Sequence, residues 1–158
     1  MTTKSDYTEE EWLGLLSAPM LVGMYIITAD VSVSAMPKEM AGMMKGVMNS
    51  DVPDEAKDLV AALSGDFIVK SQKKEIPQPE VDKHQDPKKQ LMDQLMAATA
   101  VLDTKSTPEE KAGFSEWLMD IANATAEAGR EGGFLGIGSV KVSDKEKVAL
   151  EELRTALS

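Results

Sequence analysis

Cysteine is absent from this chain of 158 residues. Disulfides, thiolate metal sites and thiol nucleophiles are therefore excluded. The absence fits a reducing compartment. The polar, acidic start from Met1 to Glu11 also lacks a basic segment ahead of an apolar core, so a cytoplasmic location is expected. Histidine occurs once, as His84, in a proline-rich stretch. A Ser-His-Asp triad would rest on that residue alone, with no third group evident to orient it. Neither His-Glu-x-x-His nor Gly-x-Ser-x-Gly is present.

Basic residues are also few. Lysine and arginine number 17 against 27 aspartates and glutamates, a formal net charge of −10. The imbalance is uneven: residues 1–66 carry −7, residues 67–90 carry +2 and residues 91–158 carry −5. Acid dominating both halves repels phosphate backbones, which argues against nucleic acid as a partner. The same field disfavours anionic membranes and anionic substrates. Long apolar runs are lacking too. The longest, Met20 to Ala29, falls short of the roughly 20 residues a membrane span needs, so it reads as a buried core helix.

What remains is helical patterning without a convincing alternating strand. Thr8-Glu9-Glu10-Glu11 is a capping box, and Trp12, Leu15 and Leu16 form the stripe of the helix it starts. Pro19 suits the first turn of a second, almost wholly apolar helix to about Thr28. Residues 1–6 read as a frayed start, and Asp30 to Ser34 as a connector. Pro37 opens a helix with Met36, Met40, Met43, Met44, Val47 and Met48. Pro53 opens another, with Leu59, Val60, Leu63 and Phe67, which Gly65 ends or kinks. Residues 75–87 hold three prolines and read as a surface loop. Beyond it, Leu91, Met92, Leu95, Met96 and Leu102 mark one amphipathic helix. Thr107-Pro108-Glu109-Glu110 caps the next, striped by Phe114, Trp117, Leu118, Ile121 and Thr125. Ser143-Asp144-Lys145-Glu146 caps the last. The expected fold is all-α, a compact single-domain bundle of about six to seven helices with a Pro-rich central loop. Any subdivision would fall at residues 75–87.

Several groups carry candidate chemistry. Gly132 to Gly138 before a helix start has the composition of a phosphate cradle. It lacks the Gly-Lys-Ser/Thr ending and is bordered by acids, so a tight connection with Phe134, Leu135 and Ile137 plugging the core is expected. Met36, Met40, Met44 and Met48 share one helix face. Ordinary core filling is the first expectation for them, and a plastic partner-binding groove the second. Copper would ask for histidine or cysteine nearby, and this helix has neither. Asp30, Glu39, Asp144 and Glu146 flank the irregular helix connections and are the candidates for a hard cation, beside their plainer roles as caps and solvated acids. Lys70, Lys73 and Lys74 fit a solvated helix C-terminus. Trp12 and Trp117 fit core anchors.

Two stretches, Glu11 to Gly23 and Glu131 to Gly138 continuing as Val140 to Glu146, together resemble a group of small conserved-hypothetical bacterial proteins, a resemblance that implies no activity. The connectors Asp30 to Glu39 and Glu131 to Glu146 are loosely similar to those of the tellurite-resistance B-like helical proteins, whose Asp-Gly pair is missing at both places. That resemblance implies a small metal- or ligand-sensing domain. The residues themselves point first to a non-enzymatic protein working through protein partners or self-association, with no cofactor. A carboxylate-dependent enzyme is the third alternative.

Overall fold

The computed structural model describes residues 1–30, 35–49, 51–129 and 142–158. It is all-α, and no strand occurs among the described residues. The helices are α1 (Glu9–Ala29), α2 (Met36–Asn49), α3 (Lys57–Lys73), α4 (Pro87–Thr99), the single turn α5 (Leu102–Lys105), α6 (Pro108–Ala128) and α7 (Asp144–Ala156). Short 3-10 turns cover Lys4–Asp6 and Asp54–Ala56.

α1 is the axis of the molecule and packs against α2, α3, α4, α6 and α7. By length and composition it could cross a membrane. Here it is buried on most sides by the other helices, as a core helix is. One apolar cluster draws on every α-helix, including Leu16, Met43, Leu63, Leu95, Leu102, Trp117 and Leu153. Trp12 and Trp117 are both buried anchors, and Trp12 Nε1 donates to Asp66 Oδ2 at 2.9 Å. Tyr25 Oη and Lys88 Nζ both donate to Glu152 Oε2 at 2.6 Å, tying α1, α4 and α7.

Four expectations are corrected. Pro19 does not begin a second helix but lies inside α1. Its ring removes one backbone bond, a cost of about 3 kcal/mol. Leu15, Leu16, Ala18, Leu21 and Val22 around it are almost wholly buried. At roughly 1.5–3 kcal/mol for each large apolar side chain, keeping them on one axis outweighs the lost bond. Gly65 likewise does not end a helix, and α3 runs through it to Lys73. The stripe after Pro87 is interrupted, with α4 ending at Thr99 and Leu102 standing in α5.

The chain's start is the fourth correction, because it is anchored. Thr2 is buried and donates its backbone N–H (2.6 Å) and its hydroxyl (2.9 Å) to Glu110 Oε1. Lys105 Nζ donates to the Asp6 carbonyl at 2.9 Å. Glu110 therefore does not complete the box at α6. Thr107 Oγ1 accepts from the Glu110 N–H, while the Glu110 carboxylate is drawn to Thr2. The boxes at Thr8–Glu11 and Ser143–Glu146 are both complete.

The most extensive helix pairing among the described residues is α2 on α6. Gly42 and Gly46 lie one turn apart on the side of α2 that meets Ile121, Ala124 and Ala128. A Cβ on Gly46 would fall 2.8 Å from the Ile121 Cα, and one on Gly42 would overlap the Ala124 carbonyl oxygen. These glycines let the two backbones meet, and so set where the first turn of α2 stands against the end of α6.

Candidate functional site

Four helix ends meet at one corner of the bundle. α1 ends at Asp30, α2 begins beside Glu39, α6 ends at Gly129 and α7 begins after its cap Ser143. Glu39 is the centre of this corner. It is 3% exposed, and its Oε2 has neither solvent nor a hydrogen-bond partner. Its Oε1 lies against Gly129, so close that a Cβ there would approach to 2.6 Å. The carboxylate thus sits at the C-terminal, partially negative end of α6. Burial pushes the Glu39 carboxyl above the usual carboxylate range, and the charges of Glu146 and then Asp30 push it further.

Only two other buried side-chain atoms lack a partner among the described residues, Glu110 Oε2 and Trp117 Nε1. Glu110 is served through its other oxygen by Thr2. The Glu39 side chain makes no hydrogen bond or ion pair with a described residue. A buried carboxylate without a donor costs stability, which marks it as a functional candidate rather than a packing device.

The four cation candidates separate. Glu146 and Asp30 both come within electrostatic reach of Glu39. Glu146 is buried and accepts the Ser143 N–H on Oε2 at 2.8 Å. Asp30 is partly exposed, with Lys145 Nζ at 4.0 Å. Asp144 turns outward to Lys147 at 3.1 Å and takes no part. Among the described residues, no three His, Cys, Asp or Glu side chains are grouped closely enough to hold a metal ion directly.

The methionine row lies mostly at the surface. Met36, Met40 and Met48 are 38%, 39% and 56% exposed, and Met44 is half-buried against the core. Met43 and Val47 fill the core instead, one position away on the helix wheel, beside Gly42 and Gly46. Core filling therefore describes Met43 rather than the four-residue ladder. Lys38 and Lys45 lie on another side of α2, toward α6, and neither is paired with a described acid. Both line a cleft of about 600 Å3 between α2 and α6, whose α6 wall carries Asp120 and Glu127.

His84 is exposed in the loop, where its backbone N–H donates to Asp82 Oδ1 at 2.9 Å, and no described serine is hydrogen-bonded to it. Lys70 meets Glu75 at 3.6 Å, and Lys73 and Lys74 end α3 in solvent. The glycine-rich stretch from Gly132 and the connector from Val31 to Ser34 lie outside the described residues, as does Glu131. Lys111, Asp120 and Arg154 border a second open cleft along α6, which residue spacing did not signal.

No protein-family model, curated protein or solved structure matches the chain, so the acidic corner and the methionine edge are the features from which a function has to be argued.

Proposed function

We propose that the protein is a non-enzymatic interaction module whose α2 edge docks the apolar face of an acidic helical segment. The observation behind this is the exposure of Met36, Met40 and Met48 on a helix that also carries Lys38 and Lys45, neither paired with a described acid, in a chain of net charge −10. Unbranched thioethers adapt to a partner's apolar side chains, and helix faces are commonly captured this way. Lys38 and Lys45, on the α6 side of the same helix, attract acidic residues at the partner's edge. Asp120 and Glu127 across the cleft repel such a partner and confine it to the methionine side.

Two synthetic amphipathic peptides with the same leucine stripe, one flanked by glutamates and one by lysines, test this. Titration followed by methionine methyl NMR should move Met36, Met40 and Met48 saturably with the acidic peptide and not with the basic one. Replacing Met40→Glu and Met48→Glu should abolish the response. Methyl signals unmoved by either peptide would sink the proposal. Shifts that depend on protein concentration alone would make a second copy the partner.

The orphaned Glu39 favours a second function, sensing of a hard cation at the acidic corner, as the tellurite-resistance B-like resemblance implies. A magnesium-type ion keeps most of its waters and needs only one or two carboxylates. Glu39 would bind it with Glu146, and with Asp30 reached through water. Millimolar magnesium should then raise the melting temperature of the native chain and leave the Glu39→Gln chain unmoved. Equilibrium dialysis showing no bound ion would eliminate this function.

A further inference from the structure

The Pro-rich connector is held to α4 in an unusual way. Gln94 pairs with both backbone groups of Glu80: its Oε1 accepts the Glu80 N–H at 3.0 Å, and its Nε2 donates to the Glu80 carbonyl at 2.7 Å. One turn earlier, Gln90 does the same to Asp82, at 2.8 and 3.0 Å. The match is geometric. Four helical residues rise about 6 Å, and two residues of extended chain rise about 6.6 Å. Glutamines at i and i+4 therefore meet every second residue of a strand running antiparallel to the helix.

The strap fits that scheme. In extended chain, the backbone groups of alternate residues face opposite edges. Residues 80 and 82 face the glutamines. Pro77 and Pro79 belong to the other register, where a missing N–H costs no bond. The two glutamines read backbone alone, and Pro77, Gln78, Glu80, Val81 and Asp82 are exposed. Ile76 is the one buried anchor, at 4% exposure. The strap leaves α3 through Lys74, a non-glycine residue in the left-handed region at φ 59°. Beneath it, a hollow of about 230 Å3 remains between Leu21 of α1 and Ala97 of α4.

We infer that the Gln90–Gln94 ladder and the α1–α4 hollow form a docking site for an extended, proline-containing peptide segment of a partner, and that residues 76–82 occupy it in cis as an exchangeable internal ligand. The bound strap shows the occupant's chemistry: an apolar anchor, prolines on the outer register and free backbone groups on the inner one. The glutamine contacts are sequence-neutral, so a foreign segment can make the same four bonds, and the unfilled hollow leaves room for a larger side chain than the strap supplies.

The test uses the whole chain with residues 76–82 replaced by glycine and serine, and a fluorescent peptide copying residues 75–83. The emptied chain should bind the peptide saturably. The intact chain should bind it at least about tenfold more weakly, because its site is already filled. Gln90→Ala with Gln94→Ala in the emptied chain should abolish binding. A folded emptied chain that binds no peptide, or binding that survives both alanines, overturns the inference. If the emptied chain does not fold, amide exchange in the intact chain decides. Excess peptide should speed exchange at Glu80 and Asp82 together and leave Leu95 unchanged; no change at those two amides overturns the inference.

Discussion

Gly42→Ala is expected to destabilise the protein, while the chemically identical change Gly65→Ala stabilises it. Both glycines lie inside helices, where alanine is favoured by about 1 kcal/mol through backbone entropy alone. Around Gly65 there is nothing within 4 Å of an added Cβ, so the full propensity gain should appear. At Gly42 the same methyl would overlap the Ala124 carbonyl oxygen and the Ala128 Cβ. The first of these is backbone and cannot turn aside. α2 must then shift off α6, and overpacking of this kind costs roughly 1–3 kcal/mol, occasionally more. Gly42→Val adds two further methyls and should exceed that range or prevent folding. Thermal or urea unfolding of the two alanine variants checks the opposite signs. Stabilisation by Gly42→Ala would mean that α2 does not lie against α6 as described.

That contrast also shows what could be seen in the sequence and what could not. Helix starts were legible where a short polar residue meets a helical run, since Thr8 and Ser143 need only their own first turn to cap it. Thr107 followed the same rule on its side of the box, while the Glu110 carboxylate answered to Thr2, more than a hundred residues away. Pro19 was misread because local propensity stops a helix there, and only the burial of its neighbours from several directions overrides it. Four-residue spacing correctly put Met36, Met40, Met44 and Met48 on one face. Which way the face points depends on Gly42 and Gly46 seeking the small residues of α6, a pairing between helices. The motif of two small residues a turn apart on each helix, Gly42 with Gly46 and Ala124 with Ala128, was there to be noticed. Asp30, Glu39 and Glu146 were legible as acids at helix connections. Their meeting at one corner follows from the order in which four helices run, which residue types do not encode.

Raising the pH from about 4 to neutrality should cost the folded protein stability through Glu39, and Glu39→Gln should remove that loss. Burial, Glu146 and Asp30 all hold the folded-state pKa above the ordinary glutamate value. The folded state therefore keeps this proton to higher pH than the unfolded chain does. Below the unfolded pKa the carboxyl is neutral in both states and its contribution is fully present. As pH rises through the folded pKa, ionisation forces a charge into a corner that holds two other carboxylates and the negative end of α6, and stability falls. Among the described residues, Lys145 on α7 is a cation of this corner, and it lies 4.0 Å from Asp30. At neutral pH, Glu39→Gln should accordingly be more stable than the native chain by about 1–3 kcal/mol, the cost of a buried group left without its partner. Near pH 4 the two chains should converge. Unfolding by urea at both pH values measures the difference, and a pH-independent gap would mean that the carboxyl does not titrate in this range. Glu146→Gln keeps the cap at Ser143 and removes one opposing charge, so it should recover part of the same stability. A ligand cation would act through this same free energy: whatever it returns by neutralising Glu39 appears as binding. Ionisation of Glu39 therefore puts the corner under tension, and either a proton or a cation relieves it.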